Sequence, residues 1–441
     1  MDLAVKEYIE PSGQRNAVIV ESETGIPKFW PMLYSSSQLR TTGKSQNTRV
    51  AILRSVIFLY RWAELRKLNL VARISSGRGF THNEIDSLVT LLRSRIKDLP
   101  APRASSSNVV SLNRSNKLKT GDIWRELEER PKQITAATFN DRLSYCGAYL
   151  AWLANALSDQ DLANSHEARD TISDIGVAFQ KKLRSMKSTE SNTAFNESRD
   201  IRSSDVRKIL DLIKPESPTN PWVSREVRIK NFAIVVVLLD TGLRAGELGS
   251  LKLSDIISSP RKRSRGLKVK RRQGSKDDSR LRQPSAKTAE REVPLSEGAF
   301  QALDYYVQSV RNISPGASTT SYLFLSDSNR SRGRPLSSYN SITDQIRDLT
   351  GIDLTPHKLR HTATWRYCVQ QKKAGRKWDE FVEQLCEKFG WSRSDSRSVN
   401  HYAKRFIREE MFANSIREQD QLDVEVLASI EAAEKDRDNG E

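Results

Sequence analysis

The apolar positions in the first half of the chain recur at helical spacing. Between Ile52 and Ala63 they lie at offsets of 0, 4, 7 and 11, which is one face of a helix. The sequence from Thr81 to Glu84 is a capping box that predicts the start of another helix. A further helix is predicted from Thr138, and its apolar face is formed by Leu143, Cys146, Leu150, Leu153 and Leu157. No segment of this half convincingly predicts a strand, so we expect it to be helical.

Beyond Ser185 the pattern changes. Ser185 to Arg202 is polar and predicts an interdomain linker, after which a serine at position 203 or 204 caps a new helix. Strand-like segments appear only later, at Leu267–Lys270, Arg291–Leu295 and Ser321–Leu325. The expected fold class is therefore mainly α with a small β-sheet (α+β). The predicted parts are an N-terminal segment (1–27), a helical domain (28–184), the linker (185–202), a mixed domain (203–417) and an acidic tail (418–441).

The net charge favours a polyanionic partner, either nucleic acid or an acidic membrane surface. The 441 residues include 72 Lys and Arg against 55 Asp and Glu, which leaves a net charge of +17. The longest apolar run, Phe232 to Leu239, is far shorter than the about 20 residues that cross a bilayer. The N-terminal sequence also lacks the features of a signal peptide. We expect a cytoplasmic protein that makes no membrane contact.

Several common chemistries find no support in the sequence. The three cysteines form no CxxC pair, which argues against a disulfide framework and against a cysteine-rich zinc site. There is no GxxxxGK(S/T) loop for nucleotide hydrolysis and no GxSxG motif. His357 and His361 have the spacing of a zinc metalloprotease, but Lys358 stands where that motif needs glutamate. We therefore expect neither a metal nor a cofactor.

A dense basic segment lies in the mixed half. Arg261 to Arg282 contains eleven basic residues against Asp277 and Asp278. We interpret this segment as an arm that grips phosphates, and the alternative is a solvated hairpin or a localisation signal. The residues expected to contact nucleic acid are Arg261, Lys262, Arg263, Lys268, Lys270, Arg271, Arg272 and Lys276.

An arginine in the sequence TGLRAGEL is the first candidate for phosphate chemistry. A buried helix is predicted to end at Gly242, and Arg244 then begins the next helix. At that position its planar guanidinium can face a phosphate beside a helix N-terminus. The alternative is that Arg244 simply pairs with Glu247, three residues further on.

A second motif and a later tyrosine follow the first arginine in the sequence. In HKLRHT, His357 and Arg360 lie three residues apart on one helical face. Phe389-Gly390-Trp391 follows, and Tyr402 comes 11 residues after the tryptophan. In order and spacing these motifs resemble the tyrosine recombinase (phage integrase) family, whose tryptophan-to-tyrosine interval is commonly nine residues. The similarity extends over about residues 203–408.

The resemblance implies a DNA strand-exchange enzyme with a tyrosine-recombinase-type catalytic domain. The implied catalytic residues are Arg244, Lys287, His357, Arg360, Trp391 and the nucleophile Tyr402. Lys276 is a rival to Lys287, because the segment before Lys287 is long and rich in basic residues. The helical first half resembles the DNA-binding domain that precedes the catalytic domain in this family.

The chemistry of these side chains agrees with that role. Two arginines can stabilise the pentavalent transition state of a phosphodiester without a metal. A phenol with a pKa of about 10 needs a base, and His357 can accept or relay its proton. A lysine can protonate the departing 5′ oxygen, whereas Trp391 has a single N–H donor and can only position an oxygen.

Other residues near these motifs are expected to have supporting roles. His361 is interpreted as a packing histidine and His401 as a bystander, because adjacent positions on a helix do not face each other. Glu247 is expected to orient an active-site arginine, and Asp255 to be structural.

The function expected from the resemblance is site-specific recombination through a covalent 3′-phosphotyrosyl intermediate, without ATP or metal. The implied partners are double-stranded DNA, a homotetramer on that DNA, and accessory DNA-bending proteins or a second recombinase. The alternatives are a type IB-like topoisomerase and a catalytically silent DNA-binding regulator. In the acidic tail, Leu422, Val426 and Ile430 predict a helix that packs either on a neighbouring subunit or on its own domain.

Overall fold

The computed structural model describes residues 2–95, 134–159, 166–188, 200–259, 264–272, 277–284, 289–392 and 397–438. The chain divides into two compact units, Met1–Asn196 and Glu197–Glu441. Each unit has a hydrophobic core of its own. Within the described ranges, no helix is long and apolar enough to cross a membrane.

The N-terminal unit begins with a β-hairpin. Strand β1 (Leu3–Ile9) pairs antiparallel with β2 (Arg15–Glu21), and the register runs from Leu3 opposite Glu21 to Ile9 opposite Arg15. The prediction that this half contains no strand is therefore wrong. The apolar residues Ala17–Val20 of β2 are all buried and do not alternate with polar ones. An unbroken apolar run this short has no clear period, which explains why the pattern missed it.

Most of the other described residues of the N-terminal unit are helical. The described helices are α1 (Phe29–Tyr34), α2 (Gln46–Leu65), α3 (Leu70–Ser75), α4 (His82–Leu92), α5 (Ala136–Ser158) and α6 (His166–Ser185). The helix predicted from Ile52 to Ala63 is confirmed, and the four apolar positions of its face are buried in α2. The capping box at Thr81 and Glu84 is also confirmed at the start of α4. In α5 the predicted apolar face lies in the core.

The second unit is helical around a small sheet. Its helices are α7 (Ser203–Ile213), α8 (Arg225–Thr241), α9 (Ala245–Ser250), α10 (Glu297–Tyr306), α11 (Asn340–Thr350), α12 (Pro356–Lys373), α13 (Trp378–Phe389) and α14 (Arg397–Asp438). Its strands are β3 (Ile256–Ser259), β4 (Ser264–Val269) and β5 (Arg291–Pro294). The expected α+β class, mainly α with a small sheet, is confirmed.

The three strands of this unit form one antiparallel sheet in the order β3-β4-β5. Leu267 pairs with Ile256 on one side and with Val293 on the other. Strands β4 and β5 correspond to two of the predicted strands with shifted ends, whereas β3 was not predicted. The predicted strand Ser321–Leu325 forms only isolated bridges, at Tyr322 and Leu325.

Helix α8 is the central element of the second unit. It packs against α10 and α12 and is buried on most of its surface, as expected for a helix without a polar face. The helix ends at Gly242, which has a φ of 64°. A Cβ at this position would collide with the ring of Phe389 at the end of α13. The glycine therefore allows the α8–α9 turn to approach α13 closely, and the candidate site lies at this approach.

Candidate active site

Arg244 lies at the N-cap of α9, directly after the glycine turn. Its guanidinium Nη1 is 3.3 Å from Oε1 of Glu247 and 3.5 Å from the carbonyl oxygen of Phe389. About a third of the side chain (34%) remains exposed. Arg244 thus pairs with Glu247, which the sequence left open as an alternative, and still presents a face that an anion can reach.

Glu247 is a buried carboxylate that joins three arginines. Its oxygens lie 3.3 Å from Arg244 Nη1, 3.0 Å from Arg291 Nη2 and 3.9 Å from Arg360 Nη1. No part of the Glu247 side chain is exposed. Three guanidinium groups around one carboxylate leave a net positive charge, and this arrangement suits an anionic ligand.

Arg291 is a functional candidate that the sequence motifs did not indicate. It lies on β5, where Arg291 and Val293 are buried while Glu292 and Pro294 are exposed. Its Nε donates to the carbonyl oxygen of Lys388 at 3.0 Å. The two-residue alternation of a strand could have identified it, because an arginine in the inward register needs a buried partner.

Arg360 is almost fully buried in α12. Its Nη1 donates to the carbonyl oxygen of Gly242 and its Nη2 to that of Phe389, both at 2.6 Å. Burial and, secondarily, the charge of Arg244 lower the pKa of Arg360 to about 9, which still leaves it protonated at neutral pH. The guanidinium lies 5.4 Å from the centre of the Trp391 ring. The two arginines of the sequence motifs therefore lie in one cluster.

His357 lies in the first turn of α12 and is exposed. Thr355 caps this helix by accepting from the backbone N–H of Lys358 at 3.1 Å, and Pro356 occupies the first helical position. The ring of His357 stands edge-on to that of His361, with 4.4 Å between their centres. One turn of α12 thus carries two histidines and the buried Arg360 towards the same cluster.

Trp391 follows the left-handed cap Gly390 at the end of α13. Its ring stacks on Phe389 at 5.5 Å and on Tyr402 at 5.6 Å, with interplanar angles of 28° and 18°. The indole Nε1 is buried and has no hydrogen-bond partner within the described part of the chain. An indole N–H without an acceptor is available to an incoming oxygen.

Tyr402 lies near the start of α14 and is only 2% exposed. Its ring lies between Trp391 and Trp365, and the Trp365 ring centre is 6.5 Å away. Burial raises the pKa of the Tyr402 phenol well above its usual value. A phenol in this position needs help to lose its proton.

His361 contacts the hydroxyl group of Tyr402. Its Nδ1 and the Tyr402 Oη form a hydrogen bond. The expectation that His361 serves only for helix packing is therefore incomplete: its ring is 8% exposed, but it also reaches the candidate nucleophile. The sequence contained a clue, because His361 lies one helical turn from His357 and next to Arg360. His401 stands edge-on to the same tyrosine at 5.3 Å.

Two parts of the basic segment, residues 261–263 and 273–276, lie outside the described residues, as does Lys287 beyond it. The predicted site residues Arg261, Lys262, Arg263, Lys276 and Lys287 are therefore outside the described ranges. In the described part, Lys268 on β4 lies 3.7 Å from Glu292 on β5, and Arg271 is exposed just beyond β4.

Arg272 and Lys270 are tied to Asp255 rather than directed only to solvent. Arg272 Nη1 and Nη2 each lie 2.7 Å from the Asp255 carboxylate, and Nη1 also donates to the carbonyl oxygen of Ser250 at 2.9 Å. Lys270 Nζ is 3.9 Å from the same carboxylate. Asp255 is fully buried and has the structural role expected of it. Arg272 therefore serves the interior of the unit, which weakens its candidacy for DNA contact.

No group of three or more His, Cys, Asp or Glu side chains that could hold a metal ion occurs in the part of the chain that the structure describes. Of the arginines around Glu247, Arg360 acts on Tyr402 by its charge, which opposes the effect of burial on the pKa of the phenol.

Two of the solved structures to which the chain is similar are recombinases in complex with DNA. The Tn1549 transposon integrase with circular-intermediate DNA is 20% identical, covers 78% of this chain and 97% of its own, and gives a TM-score of 0.40. The XerH recombinase in a post-cleavage complex with palindromic difH is 13% identical, with 85% and 98% covered and a TM-score of 0.41.

The family comparison concerns the region that holds the arginine cluster. The model of the phage integrase family matches residues 199–372, which include Arg244, Glu247, Arg291, His357 and Arg360. None of the curated protein sequences matches the chain. Residues 199–372 of this chain are therefore similar to the phage integrase family.

Proposed function

We propose that this protein cleaves and rejoins DNA strands at specific sites through a covalent 3′-phosphotyrosyl intermediate on Tyr402, without ATP or metal. One observation carries the proposal. The Trp391 ring stacks on Tyr402 at 5.6 Å, and the Arg360 guanidinium lies 5.4 Å from the same Trp391 ring. A candidate nucleophile, an indole N–H without a partner in the described ranges, and a guanidinium charge therefore lie within one cluster.

The arginines would stabilise the phosphate. The exposed face of Arg244 would contact the non-bridging oxygens of the phosphate, and the buried Arg360 would add positive charge next to them. Guanidinium groups remain charged during the reaction and need no reorganisation, which is the basis of preorganised electrostatic catalysis. Trp391 Nε1 would donate to a phosphate oxygen, and the exposed His357 can bond to the same group or relay a proton.

Lys287 is our proposed general acid for the departing 5′ oxygen, and Lys276 is its rival. Bond energy is conserved in the phosphotyrosyl ester, so rejoining needs no nucleotide. Tyr402 is 2% exposed in the free protein, and we propose that DNA binding opens this cluster before attack. Lid and loop movements of this kind commonly precede chemistry.

The proposed partner is double-stranded DNA. The net charge of +17 favours it, and the related Tn1549 and XerH structures are DNA complexes. The proposed parts are a helical DNA-binding domain (28–184) joined by the linker (185–202) to the catalytic domain (203–417). The partly exposed Lys268 and Lys270 and the exposed Arg271 would contact the phosphate backbone.

We further propose a homotetramer on DNA, because recombination joins two duplexes by four strand cleavages. Accessory DNA-bending proteins or a second recombinase would complete that assembly. Helix α14 carries a series of exposed apolar residues that a neighbouring subunit could cover: Ile407, Met411, Phe412, Ile416, Val424, Val426, Leu427 and Ile430.

Covalent capture tests the proposal. The substrate is a nicked suicide duplex taken from the DNA junctions of the element that encodes the protein. The wild-type protein should give an adduct that survives denaturant, with Tyr402 joined to the 3′ phosphate. Tyr402→Phe should bind the same duplex and give no adduct. Tyr367→Phe is the matched control, since it removes the hydroxyl of another aromatic-cluster tyrosine, which donates to Gln384 at 3.3 Å. An adduct in Tyr402→Phe would refute the assignment.

A further inference from the structure

Two polar side chains of α12 act on the Tyr402 hydroxyl. Nδ1 of His361 forms a hydrogen bond with it. Burial raises the pKa of the phenol, and Thr364 acts in the opposite direction. Thr364 Oγ1 also donates to the carbonyl oxygen of Arg360 at 2.9 Å. A threonine hydroxyl cannot hold an extra proton at neutral pH, whereas an imidazole can. Of these two neighbours, only His361 can act as a base.

We propose that His361 is a catalytic residue, and that its Nδ1 accepts the proton of Tyr402 when the phenol attacks DNA. This inference rests on the proposed function. In the step, the Tyr402 Oη–H bond breaks and the proton moves to Nδ1 of His361. Oη then bonds to phosphorus, the bond from phosphorus to the 5′ oxygen breaks, and that oxygen takes a proton from Lys287 or Lys276. Rejoining reverses each transfer.

The burial of the two side chains supports this assignment. Tyr402 is 2% exposed and His361 is 8% exposed, so bulk water has little access to the hydroxyl group. Burial raises the pKa of Tyr402, and this increases the cost of forming a phenolate without an adjacent acceptor. A base that already forms a hydrogen bond with the nucleophile removes the need for hydroxide to enter the cluster.

His361 is buried and His357 is exposed, so the two histidines can have different roles. To accept at Nδ1, neutral His361 must carry its proton on Nε2. His357 is exposed, and its ring stands 4.4 Å from that of His361 on the side of the site open to solvent. His361 thus lies between His357 and Tyr402. In this order, the exposed His357 would bond to a phosphate oxygen while His361 takes the proton.

The groups that act on Tyr402 by their charge lie in three parts of the chain. On α12, Arg360 lowers the pKa of Tyr402 by its charge, whereas Cys368 acts in the opposite direction. Asp200, which precedes α7, also raises this pKa, but its carboxylate is paired with Arg405 of α14. The Arg405 guanidinium stacks 3.6 Å from the centre of the Trp365 ring.

The test is the pH dependence of single-turnover cleavage of the suicide duplex. His361→Asn keeps an oxygen or nitrogen near the position of Nδ1 but cannot be protonated. We expect a decrease of about 100-fold or more at neutral pH, in the range measured for a lost general base. The wild-type rate should rise with pH and then level off once His361 is neutral. In His361→Asn, the rate should rise log-linearly with pH and show no plateau, because hydroxide must replace the base.

His401→Asn is the matched control. It makes the same change in the residue before Tyr402, whose ring contacts the tyrosine at 5.3 Å. Its rate should stay within about twofold of wild type, and its plateau should remain. A purely structural role for His361 would instead lower the rate equally at every pH and preserve the plateau. A cleavage rate above that of the wild type in His361→Asn would mean that His361 inhibits the attack by Tyr402. Either result would overturn the inference.

If His361→Asn folds poorly, the contact between His361 and Tyr402 can be tested by a measurement without DNA. The chain has five histidines, so ¹⁵N-histidine labelling gives few signals. Tyr402→Phe should shift the Nδ1 resonance of one histidine, and unchanged spectra would overturn the inference. The two proposals can be distinguished by the wild-type adduct. If it is absent, the proposed function fails; if it forms and His361→Asn matches the wild-type rate and plateau, only the role of His361 fails.

Discussion

Arg291 donates to both oxygens of the Glu247 carboxylate, from Nη1 at 3.2 Å and from Nη2 at 3.0 Å. Both side chains are almost completely buried. The same carboxylate accepts from the backbone N–H of Arg244 at 2.9 Å and therefore also caps α9. One acidic side chain thus ties strand β5 to the helix that carries Arg244, and it lies 3.9 Å from Arg360. The position of both motif arginines depends on a residue that need not touch DNA.

Glu247→Gln should lower the free energy of unfolding by about 3 kcal/mol, because it leaves buried guanidinium groups without their counter-charge. Urea denaturation of the free protein measures this change. Glu292→Gln is the control, since it changes the next residue of β5, which is exposed. Its unfolding should match that of the wild type. Equal stability of the Glu247→Gln and wild-type proteins would show that the cluster does not depend on this charge.

The motif residues could be predicted because their chemistry and their local structure agree. Gly242 ends α8 in the left-handed region, and Arg244 caps α9, as the sequence TGLRAGEL indicates. His357 and Arg360 share one turn of α12, which begins at a threonine cap with proline in the first turn. Short-range rules of capping and periodicity are sufficient for such features.

Long-range contacts were beyond those rules. Arg291 and Glu247 lie 44 residues apart, and the hydrogen bond between His361 and Tyr402 joins residues 41 apart. Nothing in the spacing of apolar residues indicates which buried polar groups will meet. The hairpin of β1 and β2 was missed for a different reason, since four consecutive apolar residues do not distinguish a strand from a helix.

A change of leaving group distinguishes the role of Lys287 from that of Lys276. Lys287→Ala should slow cleavage of a normal 5′-oxygen substrate far more than that of a 5′-thio substrate, because a thiolate leaves without needing a proton. Lys276→Ala should instead weaken DNA binding and affect both substrates about equally. The measurements are single-turnover rates on matched duplexes. The opposite pattern would assign the general acid to Lys276.

Cleavage should persist in excess EDTA. The Arg360 guanidinium, 3.9 Å from Glu247, acts on Tyr402 by its charge, and guanidinium groups can stabilise the transition state in place of a metal. Adduct formation on the suicide duplex, with and without EDTA, measures this directly. Complete loss of the adduct in EDTA, restored by a divalent cation, would indicate metal-dependent cleavage.

The end of helix α14 should be needed for assembly but not for binding a single site. The helix continues to Asp438, and Val424, Val426, Leu427 and Ile430 are each about half exposed or more. Exposed apolar side chains in such a series are typical of a surface that a partner covers. Deletion after Arg417 should therefore leave binding to one DNA site intact while abolishing four-subunit synapsis and strand exchange.

Deletion after Arg417 removes the apolar surface and also shortens the helix. Single substitutions can distinguish the two effects. Leu427→Glu places a charge on the apolar surface and should reduce synapsis, whereas Asp423→Asn changes an exposed polar position of the same helix and should not. Gel-shift analysis distinguishes single-site complexes from paired-duplex complexes, and a two-duplex assay measures strand exchange. A helix that folded back onto its own domain would lower the thermal stability of the truncated monomer instead. A truncated protein that recombines two duplexes at the wild-type rate would rule out subunit exchange through this helix.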